Sequence, residues 1–100
     1  MKNKLPIIIT NEAKSDVKGI VTYISIDNKL AGLNFAKLVK KTFVYLSEFP
    51  YMGNKRPEYT DDDILFFTIK WGYNIVYRIE NDKLYVLRVL SEYQDYNLIF

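Results

Sequence analysis

The chain has 100 residues, of which 49% are apolar and 26% are charged, and it contains neither cysteine nor histidine. This length predicts one domain over residues 1–100, and the composition excludes disulfides, thiolate chemistry and histidine-based metal or acid–base sites. The net charge of +2 is unevenly divided, because residues 1–56 carry ten Lys or Arg against four Asp or Glu, and residues 57–100 carry four against eight. The basic excess is modest for an anionic partner, and solvation explains it about as well.

No apolar run approaches the roughly 20 residues that a membrane-spanning helix requires. The amino-terminal stretch MKNKLPIII has a short apolar run and no small-residue cleavage site, which argues against a signal peptide. We therefore expect a cytoplasmic protein that has no membrane partner.

The first predicted elements are a strand and a helix. Leu5–Thr10 is a β-branched run with a proline near its start, which is typical of a strand at a sheet edge. Thr10 or Asn11 can cap the helix that follows. Its apolar stripe recurs at spacings of three and four residues, through Ala13, Val17, Ile20 and either Tyr23 or Ile24.

A second helix is predicted over Lys29–Glu48, after a break at Asp27-Asn28 and before Pro50. The short connection favours an antiparallel helical hairpin. Three lysines lie on the exposed side of this helix, and an ordinary solvated face explains them better than a binding stripe: Lys37, Lys40 and Lys41. The predicted buried side consists of Ala31, Phe35, Leu38, Thr42, Tyr45, Leu46 and Phe49.

The segment Ile64–Leu90 predicts three antiparallel strands, because Trp71-Gly72 and Asn81-Asp82 are residue pairs that suit tight hairpin turns. Together with the preceding elements this gives an α+β fold with one sheet. A two-residue second turn would pair Glu80 with Lys83, Arg78 with Tyr85 and Ile75 with Arg88, and strand alternation would place Tyr85, Leu87 and Val89 on one face. Both faces would be largely apolar, so we expect each of them to be covered.

Two segments are irregular. The loop Tyr51–Asp63 ends in Asp61, Asp62 and Asp63, which lack the ligand spacing of a calcium loop and are better explained as a solvated turn. We therefore predict no metal site and no cofactor. The chain ends in Leu98, Ile99 and Phe100, which either fold back onto the domain or are buried by a partner.

Several segments, in order, carry a resemblance over nearly the whole chain. The first helix contributes Ala13, Asp16, Val17, Ile20, Tyr23 and Ile24, and the second helix contributes Ala31, Phe35, Leu38, Leu46 and the following Pro50. The loop contributes GNKRPE at residues 53–58. The strands contribute segments 73–79 and 87–90, which are followed by Gln94-Asp95. This ordered set resembles the RelE/ParE superfamily of bacterial toxins from type II toxin–antitoxin modules. The loop is similar to the Gly-x-x-Arg-Pro-Glu loop of its ParE-like, plasmid-stabilisation branch.

The resemblance implies a toxin that a small cognate antitoxin neutralises, with operator DNA bound only through the antitoxin. The first hypothesis is a ParE-like inhibitor of DNA gyrase, which acts by binding and is not an enzyme. The alternatives are a RelE-like, ribosome-dependent mRNA endonuclease and a non-toxic member of the fold. Ser91 and Tyr93 occupy places where the family often has His and Arg, and an arginine common near Leu65 is absent, so the sequence leaves toxicity and target open.

Each hypothesis selects its own residues. An endonuclease needs a general base, a general acid and cations around the phosphate, and its catalytic candidates are Arg78, Arg88, Glu92 and Tyr93. The alternative that both arginines are structural, either snorkelling or pairing with Glu80 and Glu92, is favoured.

A gyrase-binding surface would use residue types that anchor interfaces, and the candidates are Lys55, Arg56, Trp71, Tyr93 and Tyr96. For Trp71, core packing at the sheet end is an equally good explanation. The surface predicted to bind the antitoxin consists of Val76, Arg78, Leu87, Leu98, Ile99 and Phe100.

Overall fold

A computed structural model describes residues 4–100. Residues 1–3, the start of the stretch tested for a signal peptide, lie outside the described residues. The elements are β1 (Ile7–Ile9), α1 (Asn11–Asp27), α2 (Lys29–Glu48), β2 (Leu65–Ile69), β3 (Tyr73–Glu80), β4 (Lys83–Ser91) and α3 (Tyr96–Ile99). The strands form one sheet in the order β1-β4-β3-β2, in which β1 is parallel to β4 and the other neighbours are antiparallel. The predicted α+β fold is confirmed, with the first strand at an edge of the sheet.

The two long helices begin where their capping residues predict. The Thr10 hydroxyl accepts a hydrogen bond from the amide of Ala13, and the Asn28 side chain accepts one from the amide of Ala31. The apolar stripe of α1 continues through Ile24, which packs on the core, whereas Tyr23 is 73% exposed.

The buried face of α2 matches the predicted one at Phe35, Thr42 and Leu46 and differs from it elsewhere. Val39 and Phe43 are buried, whereas Tyr45 and Phe49 remain more than a third exposed at the side of the helix. The Tyr45 ring packs against Phe49 and against Phe67 of β2, with ring centroids 5.3 and 5.8 Å apart. The predicted buried face therefore lay too far toward the edge strand β2. The difference arises because α2 packs against α1 as well as against the sheet.

Both hairpin turns have the predicted positions. Trp71 and Gly72 have φ of 72° and 75°, and Asn81 and Asp82 have φ of 53° and 58°. Two successive positive φ values match the right-handed twist of the flanking strands, which is why Gly, Asn and Asp are favoured in such turns. Trp71 is the exception, since a bulky residue in this region is strained by about 1–2 kcal/mol.

The strand register agrees with the prediction at Glu80–Lys83 and Arg78–Tyr85, but the pairing of Ile75 with Arg88 is wrong. Tyr77 pairs with Val86 and Val76 pairs with Arg88, so Leu87 is an extra residue in a β-bulge. Beyond the bulge, side chains change faces. Val89 therefore joins the core under the helices, and not the face of Tyr85 and Leu87 where we expected it.

The sheet carries a core on each face, as predicted. The helix-side core lies between the sheet and the helical hairpin and contains Ala13, Phe35, Val39, Phe43, Leu46, Ile69, Ile75, Tyr77, Leu84, Val86 and Val89. The second core, on the opposite face, contains Ile64, Phe66, Val76, Leu90 and Tyr96, with Tyr59, Leu87, Ile99 and Phe100 packed against it. The carboxyl terminus thus folds back onto its own domain. Leu98, at 84% exposed, is directed away from this core.

None of the helices within residues 4–100 has the length and apolarity that crossing a bilayer requires.

Candidate functional site

The loop that carries Lys55 and Arg56 is attached to the sheet through one buried side chain. Tyr77 is fully buried, and its hydroxyl donates to the carbonyl of Pro50 (2.8 Å) and accepts from the amide of Gly53 (2.8 Å). A Cβ on Gly53 would lie 2.6 Å from the Tyr77 hydroxyl, so only glycine allows this approach. Burial raises the pKa of Tyr77 above its ordinary value, which keeps the phenol neutral. The loop is therefore held in a defined position.

A polar cavity of about 210 Å³ opens between this loop and the second core. Its lining residues are Arg56, Tyr59, Phe66, Thr68, Asn74, Glu92 and Tyr96. Three of them form a hydrogen-bonded chain in which Thr68 donates to the Asn74 amide oxygen (2.6 Å) and the Asn74 amide nitrogen donates to the Tyr96 hydroxyl (2.9 Å). The Tyr96 hydroxyl donates in turn to the carbonyl of Ser91 (3.0 Å). Since these polar groups satisfy one another, they form a rigid wall.

Tyr96 was predicted to bind the target, and the structure places it within that wall. It is 4% exposed, and burial raises the pKa of its hydroxyl. A neutral phenol whose hydrogen bonds are already made has little capacity to contact a partner directly. Tyr96 supports the surface around it, and the sequence signal for this role was the polar residue Asn74 within an apolar strand.

The other residues proposed for target binding are exposed. Arg56 is partly exposed at the mouth of the cavity, 3.9 Å from Glu58, and Lys55 forms an exposed ion pair with Asp63 at 3.0 Å. Tyr93 is 88% exposed. Trp71 is half exposed and stacks on Phe35, with ring centroids 5.7 Å apart and an angle of 18° between the rings.

Glu92 connects these residues. Its amide donates to the carbonyl of Gly72 in the Trp71-Gly72 turn (2.8 Å), and its side chain lines the cavity beside Arg56. The structure therefore brings Arg56, Trp71 and Tyr93 to one end of the sheet. We call these three residues together with Glu92 the sheet-end surface.

The catalytic candidates do not converge on one point. Arg88 forms a bidentate pair with Asp16 on the helix side of the sheet (2.7 and 3.0 Å), and the Asp16 carboxylate also accepts from the amide of Val89. The hydrogen bond to Asp16 raises the pKa of Arg88. Arg78 lies 3.7 Å from Glu80 at the far end of β3 from the Trp71 turn. Both arginines are thus paired, as the favoured interpretation predicted, although Arg88 pairs with Asp16 and not with Glu92.

The residues predicted to bind the antitoxin are mostly enclosed. Val76 is fully buried in the second core, where Leu87, Ile99 and Phe100 pack around it. The Phe100 ring contacts Phe66 and Tyr96, with centroid distances of 5.5 and 5.9 Å. Because the chain covers this face with its own terminus, the apolar second face alone gives no argument for a partner.

No cluster of three or more acidic residues among residues 4–100 is arranged to hold a metal ion. Asp61, Asp62 and Asp63 are exposed, as expected for a solvated turn.

The sequence matches, over residues 7–96, a family model described as the ParE toxin of the type II toxin–antitoxin system parDE. The chain belongs to the ParE toxin family. The resemblance found in the loop and strand segments is thereby confirmed. This ParE-family chain is also similar to a solved structure titled "Chromosomal ParDE TA system from P. aeruginosa", with a TM-score of 0.73 and 17% identity over 88% of this chain and 96% of that one. At this identity the likeness shows the shared fold. No sequence among curated proteins matches significantly.

Proposed function

We propose that this ParE-family toxin inhibits DNA gyrase by binding it in the cytoplasm, and that a cognate antitoxin neutralises it. The observation that carries the proposal is the dispersal of the groups that RNA cleavage would need. Arg88 is paired with Asp16 on the helix side, while Arg78 and Glu92 lie at opposite ends of β3.

RNA cleavage by acid–base catalysis needs a base, an acid and positive charge within hydrogen-bond reach of one phosphodiester. Of the catalytic candidates Arg78, Arg88, Glu92 and Tyr93, all within the described residues, Glu92 alone lines the polar cavity. The neutral phenol of Tyr96 there is already hydrogen-bonded to Asn74 and Ser91. The four catalytic candidates therefore do not come together in this cavity. A mechanism that requires binding alone is the better match.

The sheet-end surface has the composition of a binding site. Trp, Tyr and Arg are the residues that most often dominate the free energy of protein association. The positive φ of Trp71 is strained, and residues held in such conformations cluster at functional sites. Its stacking on Phe35 fixes the indole before any partner arrives, which reduces the entropy lost on binding.

The test measures gyrase supercoiling and ribosome-dependent mRNA cleavage side by side with the purified protein. We expect inhibition of supercoiling with mRNA intact, and we expect Arg56→Ala and Trp71→Ala each to weaken inhibition by about tenfold or more, as residues that dominate an interface do. Tyr51→Ala is the matched control, since Tyr51 is 77% exposed and lies outside the sheet-end surface. Cleaved mRNA with normal supercoiling would instead establish the endonuclease, and no effect in either assay would indicate a non-toxic member of the family.

A further inference from the structure

An exposed apolar patch lies on the outer side of α2 and on the bend that follows it, beside the edge strand β2. We call it the α2 patch, and its members are Val44, Tyr45, Phe49, Tyr51 and Met52. Each of these side chains is more than a third exposed. The Tyr45 ring contacts both Phe49 and Phe67 of β2, so it is held in place before any partner arrives.

The α2 patch is large enough to form the centre of an interface. The contact between Tyr45 and Phe49 joins a depression of about 420 Å³ beside Val44 to one of about 230 Å³ beside Tyr51. The three aromatic side chains expose roughly 300 Å² between them. Contiguous apolar patches of about 300–600 Å² are the largest that most monomeric proteins expose, and they are often functional. A standard interface buries about 800 Å² on each partner, so this patch suits a small one.

Charged residues of both signs flank the patch. The depression beside Val44 is also lined by Lys40, Lys41 and Glu48. Lys41 takes part in no ion pair within residues 4–100, and Glu48 forms an exposed pair with Lys4 at 3.4 Å, which stabilises little. Glu48 is also the last residue of α2, where the helix dipole disfavours a negative charge. Both charges would therefore gain from a partner of opposite sign.

The spacing of these charges makes the patch complementary to itself. Lys41 and Glu48 are seven residues apart, which is about two turns or 10 Å along α2. The midpoint between them falls at Val44 and Tyr45, within the apolar patch. A two-fold axis through this midpoint and perpendicular to α2 would pair the helix with an antiparallel copy of itself. Each Lys41 would then face Glu48 of the other copy, and the two Val44 side chains would meet between the ion pairs.

We propose that the α2 patch is the interface of a homodimer, in which α2 of one chain packs antiparallel on α2 of a second copy. The mixed charges favour this occupant, because nucleic acid or an anionic lipid surface would meet Glu48 as well as the lysines. The dimer does not depend on the cellular target. Trp71 stacks on Phe35, about 15 Å before Tyr45 along α2, so the dimer leaves Trp71 accessible.

The first experiment reverses one charge at a time. Sedimentation velocity of the purified chain between about 1 and 200 μM should show a dimer whose fraction rises with concentration, since a small interface gives an affinity in about the micromolar range. Lys41→Glu and Glu48→Lys each bring like charges together and should each weaken the dimer by about tenfold or more. Lys18→Glu makes the same charge change as Lys41→Glu but on α1, and its dimer should stay within about threefold of the unaltered one.

Mixing the two weakened variants tests the symmetry directly. In a mixed dimer the introduced glutamate faces the introduced lysine, and the original Glu48 faces the original Lys41. Equimolar Lys41→Glu and Glu48→Lys should therefore associate with about the affinity of the unaltered chain. The double variant Lys41→Glu/Glu48→Lys should likewise form a dimer with itself. If the two residues acted only within their own chain, the mixture would show no such recovery.

A cross-link locates the axis without changing any charge. The chain contains no cysteine, so Val44→Cys introduces a single thiol beside the proposed axis. Facing residues of two closely packed helices come within reach of a disulfide, and mild oxidation should therefore yield covalent dimers. Leu33→Cys is the matched control, because Leu33 is 58% exposed on the same helix but lies far from the axis. It should cross-link at least about tenfold more slowly.

The dimer would be overturned if the unaltered chain sedimented as a monomer at about 200 μM, or if both cysteine variants cross-linked at one rate. If the chain alone stayed monomeric and Lys41→Glu weakened binding of the purified product of the neighbouring small reading frame, the patch would belong to that partner and not to a second copy. The gyrase assay stands apart from these results. Lys41→Glu and Glu48→Lys should inhibit supercoiling as the unaltered chain does, and loss of inhibition in both would place the α2 patch in the target interface instead.

Discussion

The two faces of the sheet are covered by very different amounts of structure. On one face, two capped helices of 17 and 20 residues bury a continuous core. On the other, a four-residue helix and parts of the loop cover a smaller, aromatic-rich core. The helix-side face therefore works as the scaffold. The thinner cover carries the polar cavity and much of the sheet-end surface, which is where a small protein can display binding groups without weakening its main core.

The largest expected effect tests the scaffold. Asp16→Ala removes the partner of Arg88 and of the Val89 amide, and we expect it to lower the free energy of unfolding by about 2–3 kcal/mol, since a partly buried charge is left unpaired. Urea denaturation measures it. Asp63→Ala is the control, because its pair with Lys55 is exposed and contributes about 0–1 kcal/mol. Equal small losses in both variants would show that the buried pair does not stabilise the scaffold.

The thin cover is tested by Phe100→Ala. The ring contacts Phe66 and Tyr96 but is only partly buried, so we expect a loss of about 1.5–2.5 kcal/mol, less than for a fully buried Phe. Truncating the neighbouring Leu98 to Ala should cost under about 0.5 kcal/mol, because that side chain is exposed. If Phe100→Ala were silent, the terminus would not cover the second face in solution.

The connection between the two regions is tested by Tyr77→Phe. Without the hydroxyl, the amide of Gly53 and the carbonyl of Pro50 lose their partner, and we expect a loss of about 1–2 kcal/mol with weaker gyrase inhibition as the Arg56 loop loosens.

The Tyr77 hydroxyl also makes the free energy of unfolding depend on pH. The pKa of Tyr77 is raised in the folded protein, so the unfolded chain loses this proton at a lower pH than the folded chain does. The contribution of Tyr77 to the free energy of unfolding is therefore fully present below pH 10 and falls as the pH rises above it. Tyr77→Phe should reduce that slope but leave the contribution of Tyr96, whose pKa is also raised. An unchanged slope in Tyr77→Phe, measured by denaturation between pH 8 and about 11, would contradict the burial of the hydroxyl.

The smallest expected effect is a gain. Gly19 lies within α1, and a Cβ there would have no atom within 4 Å. Gly19→Ala should therefore raise the free energy of unfolding by about 1 kcal/mol through helix propensity alone. Thermal denaturation measures it, and a destabilised variant would show that the glycine has a packing role.

Part of the candidate site was accessible from the sequence because its signals are local. The Trp71-Gly72 turn and the loop Tyr51–Asp63 were located from residue type and spacing, whereas the segment Gly53–Glu58 was singled out by its resemblance to the family's loop. The structure places Trp71 and Arg56 at the same end of the sheet. The burial of Tyr96 and the role of Tyr77 were missed, because Asn74, Gly53 and Pro50, which bond these hydroxyls, lie 22 to 27 residues away in the chain.

By itself the sequence determined the order of the four strands and the two long helices, the helix caps and the hairpin turns, since these follow from the conformational preferences of a few neighbouring residues. It did not predict α3, and it predicted the first strand at Leu5–Thr10 where the structure has Ile7–Ile9. The tertiary structure alone decided three features: the bulge at Leu87, the pairing of Arg88 with Asp16 at a separation of 72 residues, and the folding of Phe100 onto the second face. The bulge matters because the side chains of a strand alternate with a period of two, so one extra residue exchanges the two faces. Only packing between distant segments selects where that residue is placed.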